Sequence, residues 1–114
     1  KYGDIEVWAT WCRPCRKGAP YLSELEHKFR ADEIYFVGVS CDKNKGAWEK
    51  AVRAGEVKGI QLYLEPENTF MDDYEITGIP RFILLDKEGK IISAKATAPS
   101  DPKTEETIAA LLAK

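Results

Sequence analysis

The segment Trp8–Cys15, with the sequence WATWCRPC, carries two cysteines separated by an arginine and a proline. The apolar run Ile5–Ala9 predicts a short strand, and the residues from Cys12 to about Phe29 predict an amphipathic helix. The two thiols therefore lie where a strand ends and a helix begins. Because parallel α/β sheets place their working sites at such strand ends, we expect the pair to do chemistry there.

The start of the predicted helix should lower the pKa of Cys12. A helix N-terminus carries roughly half a positive charge and unsatisfied N–H groups, which favour a thiolate over a thiol. Arg13 and Arg16 add full positive charges close by. Cys15, one turn further into the helix, should be more shielded and should keep its proton until it is needed. A nucleophilic Cys12 and a resolving Cys15 are the two parts that disulfide exchange requires.

Two structural interpretations of the pair compete with a redox role. A structural zinc site normally needs four ligands, and the other candidates, Cys41 and His27, do not show ligand spacing. A permanent structural disulfide at a helix start would close almost no loop and would stabilise the fold little. Cys41 ends a second buried run and is interpreted as a small hydrophobic side chain. We favour redox chemistry of Cys12 and Cys15, and expect no metal and no cofactor beyond their disulfide.

The other elements predict an α/β domain around this pair. The apolar run Ile34–Ser40 is typical of a central strand buried on both faces, and with the first strand and helix it predicts a right-handed βαβ unit. Pro20 falls inside the first helix and is expected to kink it. The later predicted elements are a helix at 46–54 closed by Gly55, a short extended segment at 60–64, a short helix at 68–74, a hairpin of 81–85 and 90–94 that turns at Gly89, and a last helix that starts at Asp101 and Pro102.

Length and charge limit the classes of function. The 114 residues are predicted to form one domain, 1–114, long enough to bury roughly two thirds of the surface of the unfolded chain. A formal net charge of -2 gives no basic excess for nucleic acid or an anionic membrane. The chain starts at Lys1 and its single methionine is Met71, so we expect a C-terminal fragment of a longer protein. The missing part could carry a signal peptide or a membrane tether.

Three motifs together resemble the thioredoxin superfamily: WATWCRPC, the internal Pro20, and GIPRFILLD at Gly78–Asp86. The strand end VGVSCDK at Val37–Lys43 and the helix around Trp48 are most similar to its TlpA/ResA-like branch. The resemblance implies a thioredoxin fold, a central mixed β-sheet of four or five strands flanked by helices on both faces, with an inserted helix after the second core strand. It also implies that the first strand pair of such domains is missing or cut short. The implied activity is that of a bacterial, extracytoplasmic, often membrane-tethered thiol-disulfide oxidoreductase.

The resemblance assigns roles to residues around the cysteines. Pro80 matches the family's cis-proline, and the backbone of Ile79 is implied to pair with a substrate chain. The alternative is an ordinary trans proline, since most X–Pro bonds are trans. Trp11, Arg13 and Pro14 are expected to face the substrate beside the dithiol. The alternative for Trp11 is that it only shields the thiols.

Glu6 lies six residues before Cys12, where many thioredoxins carry a buried Asp. A carboxyl group within so apolar a strand is costly unless it works or is paired. Burial would raise its pKa toward neutrality, which a proton acceptor for Cys15 needs. The alternative is an edge-strand glutamate that reaches solvent or pairs with a lysine.

The sequence thus predicts a thiol-disulfide oxidoreductase that acts on protein substrates as a reductant outside the cytoplasm. Ile79 before Pro80 resembles the reducing members of the family. The partners would be protein thiols or disulfides and an upstream electron-donor protein. Two alternatives stay open: an oxidant or isomerase of the same fold, and a peptide-binding module whose disulfide is silent.

Overall fold

The computed structural model describes residues 1–29, 33–57 and 59–113. The predicted order of elements is confirmed, including the helix inserted after the second strand, and α1 continues through Pro20. The elements are β1 (Tyr2–Trp8), α1 (Arg13–Lys28), β2 (Ile34–Ser40), α2 (Lys45–Arg53), β3 (Ile60–Tyr63), α3 (Phe70–Asp73), β4 (Arg81–Leu85), β5 (Ile91–Ala96) and α4 (Pro102–Leu112).

The strands form one mixed sheet in the order β3-β2-β1-β4-β5. β1 pairs parallel with β2 and antiparallel with β4, and β3 adds parallel to β2. The parallel βαβ unit and the mixed α/β fold that the sequence predicts are therefore confirmed. Because β1 is the central strand, the turn that follows it emerges from the middle of the sheet.

The first core cluster joins one face of the sheet to two helices. Tyr2 of β1 and Ile34 and Phe36 of β2 pack with Leu25 of α1 and Ile108 of α4. Tyr2 pairs with Ile34 in the parallel register, so both side chains point to the same face. This packing anchors the first helix on the strand that precedes it.

None of the described helices is long and apolar enough to cross a membrane.

The first strand begins earlier than predicted, at Tyr2 rather than Ile5. Glycine and aspartate are depleted in strands, so the local preference of Gly3 and Asp4 does not indicate a strand. Both residues nevertheless pair with β2 on one side and β4 on the other. Pairing on two sides overrides the local preference, and it draws Asp4 into the centre of the sheet.

Two glycines close elements as predicted. Gly55 after α2 and Gly89 in the β4–β5 hairpin have φ of 73° and 82°, a left-handed conformation that glycine adopts without a Cβ penalty. In the hairpin, a carboxylate oxygen of Asp86 accepts the backbone N–H groups of Glu88 and Lys90 at 2.9 and 2.8 Å. The conformation of the turn is therefore determined by residues within the hairpin loop itself.

Candidate active site

Cys12 and Cys15 are joined by a disulfide, with their Cα atoms 5.3 Å apart. Cys12 is the N-cap of α1, and Pro14 lies in the first turn, where a backbone N–H is not required. The N–H of Cys15 donates to Sγ of Cys12 at 3.3 Å. The sulfur of Cys12 therefore lies at the helix N-terminus, where a thiolate would be stabilised.

The two cysteines are buried to the same extent, with exposures of 3% for Cys12 and 4% for Cys15. The prediction that Cys15 is more shielded than Cys12 is therefore wrong for the oxidised pair. The disulfide holds both sulfurs together, and both residues pack in a second core cluster with Trp8, Ala9 and Ala51. What distinguishes the two is their surroundings, because Cys15 borders a cavity and Cys12 caps a helix.

The cavity beside Cys15 has a volume of about 280 Å³ and is bordered by the sheet, by α1 and by the end of α2. Gly38 of β2 lies opposite Glu6 of β1, and a Cβ at this position would collide with the side chain of Gln61. The absence of a side chain at Gly38 therefore leaves room beside Glu6 for the side chain of Gln61. The charged residues that border the cavity are Glu6, Arg16, Glu26 and Glu56.

Glu6 is half-buried in the central strand and borders this cavity together with Cys15. Burial raises its pKa to about 7, and the charge of Asp4 acts in the same direction. The edge-strand alternative is wrong, because β1 has neighbours on both sides. The proton-transfer role of Glu6 stays a prediction.

Asp4, which is only 5% exposed, was not among the predicted site residues. Side chains two residues apart in a strand point to the same face, so Asp4 and Glu6 share a face of β1. Burial raises the pKa of Asp4 to about 7. Asp4 borders a separate cavity of about 210 Å³ with Thr104 and Ile108 of α4. Two acidic residues at alternate positions of one strand could have indicated a shared face. The predicted strand began at Ile5, so it did not include Asp4.

The residues expected to face a substrate differ in exposure. Trp11 is 70% exposed, and Arg13 and Pro14 are exposed beside it. Ile79 is half-buried against the cluster that contains both cysteines, and the Ile79–Pro80 bond is cis, as the resemblance implies. Contact of these residues with a substrate stays a prediction.

Arg81 holds the segment that leads to Pro80, a role that the sequence analysis missed. Its guanidinium donates to the backbone carbonyl of Ala94 on β5 at 2.9 Å. It also donates to the carbonyls of Tyr74 and Glu75 at 3.4 and 3.2 Å. One side chain therefore ties the segment before Pro80 to the neighbouring strand.

The other residues with reactive or aromatic side chains have packing or surface positions. Trp8 is buried, and Trp48 of α2 packs against the cluster of the cysteines and against the ring of Tyr63 on β3. Cys41 is a free, half-buried thiol whose pKa is raised by burial. His27 is exposed in the last turn of α1. Within the described ranges, no group of three or more His, Cys, Asp or Glu residues is placed to hold a metal ion.

Known proteins share this sequence pattern. Residues 5–91 match a family model described as thioredoxin-like. The thiol-disulfide oxidoreductase ResA of Bacillus cereus (strain ZK / E33L) is 26% identical over 88 residues, which are 77% of this chain and 50% of that protein. ResA of Bacillus subtilis (strain 168) is also 26% identical, over 77% of this chain and 49% of its own length. The chain thus spans about half the length of the curated relatives that it matches.

Solved structures share the fold over nearly all of the chain. The solution structure of a candidate thiol-disulfide oxidoreductase from Bacteroides vulgatus is 59% identical, with a TM-score of 0.91 over 99% of this chain and 74% of that one. A crystal structure of a second such protein from the same species is 31% identical, with a TM-score of 0.87 over 97% and 78% of the two chains. With the family model covering most of its length and its dithiol at the start of α1, the chain belongs to the thioredoxin-like family.

Proposed function

We propose that this domain exchanges disulfides with protein substrates through Cys12 and Cys15, as a reductant outside the bacterial cytoplasm. The observation that carries the proposal is the Cys12–Cys15 disulfide at the N-terminus of α1, with the Cys15 N–H directed at the sulfur of Cys12. The names of the curated relatives and of the similar structures describe the same chemistry.

The first step uses Cys12 of the reduced domain as the nucleophile. Its thiolate attacks one sulfur of a substrate disulfide and forms a mixed disulfide. The other substrate sulfur leaves as a thiolate and takes a proton from water. The helix N-terminus and the Cys15 N–H stabilise the attacking thiolate, so that it is available near neutral pH.

The second step uses Cys15 as the resolving thiol. Cys15 passes its proton to the ionised carboxylate of Glu6 and attacks Sγ of Cys12. The mixed disulfide breaks, the second substrate sulfur leaves as a thiolate that is protonated, and the Cys12–Cys15 disulfide forms. Two electrons have then passed to the substrate, and a dithiol donor protein must restore the reduced pair. A pKa of about 7 suits Glu6 for accepting and returning a proton near neutral pH.

The substrate would bind across the exposed rim of the dithiol. Trp11 offers a large exposed aromatic surface. Ile79 packs against the cluster of the two cysteines, and its backbone would offer groups for strand-like pairing. Arg13 and Pro14 would complete a rim suited to extended protein segments.

The direction of electron flow and the location rest on the resemblance to the ResA-like branch. Ile79 before Pro80 resembles the reducing members, and such domains work outside the cytoplasm, often tethered to a membrane. An oxidant or isomerase of the same fold is the alternative within the enzyme class. A peptide-binding module with a silent disulfide is the alternative outside it.

The first experiment measures insulin reduction driven by dithiothreitol. The parent domain should accelerate insulin precipitation, and Cys12→Ser should abolish the acceleration. Cys41→Ser is the matched control, because it removes the third thiol but leaves the pair intact. A parent domain that does not accelerate precipitation, yet binds unfolded peptides equally well with and without Cys12, would identify a binding module instead.

The second experiment measures the equilibrium of the Cys12–Cys15 pair with glutathione. A reductant should have a potential near that of thioredoxin, about -270 mV, because its disulfide is the favoured form. An oxidant should have one nearer about -120 mV. The measured value therefore separates the proposal from its alternative within the enzyme class.

A further inference from the structure

Asp42 connects the end of β2 to the turn that leads into Cys12. Its side chain is buried just after β2, and both carboxylate oxygens accept the backbone N–H of Thr10, at 3.1 and 3.0 Å. The hydroxyl of Thr10 donates to the same carboxylate at 2.7 Å, and the hydroxyl of Ser40 donates at 2.6 Å. Hydrogen bonds to an ionised acceptor are roughly twice as strong as those between neutral groups. The bonds to the Asp42 carboxylate therefore fix the position of Thr10.

Thr10 is also held from the opposite side, by α1. Nε of Arg16 donates to the backbone carbonyl of Thr10 at 2.6 Å, and the guanidinium of Arg16 contacts Glu56 at 3.2 Å. The N–H, hydroxyl and carbonyl of Thr10 are therefore all engaged. The N–H of Cys12 closes the same turn on the carbonyl of Ala9 at 3.0 Å.

We propose that Asp42 and Thr10 are positioning residues for the thiol of Cys12. Only Trp11 separates Thr10 from Cys12, so the placement of Thr10 determines how Cys12 enters the helix N-terminus. With the turn held by Asp42, the sulfur of Cys12 stays within reach of the Cys15 N–H. The inference rests on the proposed thiol chemistry of Cys12, but it does not depend on which protein is the substrate.

Two other roles for Asp42 give different outcomes. If the carboxylate acted only as a nearby negative charge, its removal would lower the pKa of Cys12. If the contact served only stability, its loss would lower the melting temperature and leave the pKa of Cys12 unchanged. Replacing Thr10 alters none of the charges around the dithiol. These belong to Glu6 of β1, to Arg13, Arg16 and Glu26 of α1, to Asp42 and Lys43 after β2, and to Glu56 after α2.

The test uses Thr10→Val, which is close in shape to threonine and lacks the hydroxyl, with Thr10→Ser as the variant that retains it. The reduced domain is pulsed with iodoacetamide between pH 5 and 9, and alkylated peptides are quantified by mass spectrometry. Thr10→Val should raise the pH at half-maximal alkylation of Cys12 by about 0.5 unit, as expected for one weakened hydrogen bond. Well below the midpoint, the thiolate fraction at a given pH then falls by about threefold. Thr10→Ser should restore the parent value.

Asp42→Asn completes the test, because an amide cannot accept all the hydrogen bonds that the carboxylate accepts. It should also raise the pH of half-maximal alkylation, and adding Thr10→Val to it should have no further effect. An unchanged midpoint in Thr10→Val, or a lowered midpoint in Asp42→Asn, would overturn the inference even if insulin reduction were normal. A raised midpoint in both variants of a domain that fails to reduce insulin would support the positioning role and reject the proposed function alone.

Discussion

Asp4 and Glu6 lie on the same face of the central strand, with Asp4 bordering the cavity near α4 and Glu6 the cavity that it shares with Cys15. Burial raises the pKa of Asp4 to about 7, and burial together with the charge of Asp4 raises the pKa of Glu6 to about 7. Each acid therefore exchanges its proton near neutral pH. Of these two acids, Glu6 is the one that borders the same cavity as Cys15, which makes it the candidate for proton transfer and Asp4 its electrostatic neighbour.

Glu6→Gln should slow the resolving step and spare the first attack by Cys12. A glutamine cannot accept the proton of Cys15, and general acid–base catalysis is typically worth about 10²- to 10⁴-fold; because water can substitute in part, we expect a fall of about 10- to 100-fold. Stopped-flow measurement of the formation and decay of the mixed disulfide checks this. The parent rate of decay should fall as the pH drops below about 7, where Glu6 becomes protonated.

The matched control for this variant is Glu56→Gln, since Glu56 borders the same cavity but is exposed. It should leave the decay of the mixed disulfide unchanged. Decay in Glu6→Gln as fast as in the parent would show that another group, or water, accepts the proton.

Asp4→Asn should change how stability depends on pH. The pKa of Asp4 rises from 3.8 to about 7 on folding, so the folded chain holds the proton more tightly than the unfolded chain. Stability therefore falls as the pH rises from about 4 to about 7, and the full penalty persists above that range. At about 1.4 kcal/mol per pKa unit, the penalty is on the order of 4 kcal/mol. The variant should lack this pH-dependent loss.

Urea unfolding of the parent and Asp4→Asn at pH 4, 6 and 8 measures that effect. The difference in the free energy of unfolding between the two should move in favour of the variant as the pH rises. Asp72→Asn, at an exposed position of α3, should keep the pH dependence of the parent. A constant difference between parent and Asp4→Asn at all three pH values would contradict the raised pKa of Asp4.

Cys12 of the reduced domain should react with iodoacetamide well below pH 8, whereas Cys15 should not. The reason is position, because Cys12 caps α1 and receives the N–H of Cys15. Cys41 provides an internal reference, since burial raises its pKa and its alkylation should require a higher pH. Mass spectrometry of the alkylated peptides distinguishes the three thiols. Equal alkylation of Cys12 and Cys15 across the pH range would defeat the assignment of the nucleophile.

Trp11→Ala should lower kcat/KM for reduction of a protein disulfide and leave kcat/KM for a small-molecule disulfide unchanged. Its ring is largely exposed, so the fold loses little packing. Truncating an aromatic contact at an interface costs about 1 to 2 kcal/mol, which corresponds to a fall in kcat/KM of about 5- to 30-fold. Insulin and hydroxyethyl disulfide are the two substrates to compare. Tyr21→Ala, at an exposed position of α1, is the control and should reduce both at the parent rate. Equal losses with both substrates for Trp11→Ala would place its effect on the cysteines instead.

The sequence by itself determined the elements and the reactive pair, because those signals are local. The helix that starts after Cys12, the proline that begins the last helix and the glycine of the hairpin each depend on a few neighbouring residues, and all three are found where the pattern predicts them. The cis form of the Ile79–Pro80 bond was predicted from the resemblance to a family. Local preference alone would have favoured the trans form.

Only the tertiary structure decided which groups meet around the dithiol. Asp42 and Thr10 are 32 residues apart, and no local pattern pairs them. They meet because the parallel register of β1 and β2 brings the ends of these strands together, with Trp8 opposite Ser40. Asp4 entered the sheet for the same reason, through pairing with strands on both sides. Alternation within an element tells which side chains share a face, whereas contacts between elements depend on a register that forms only when the strands pair.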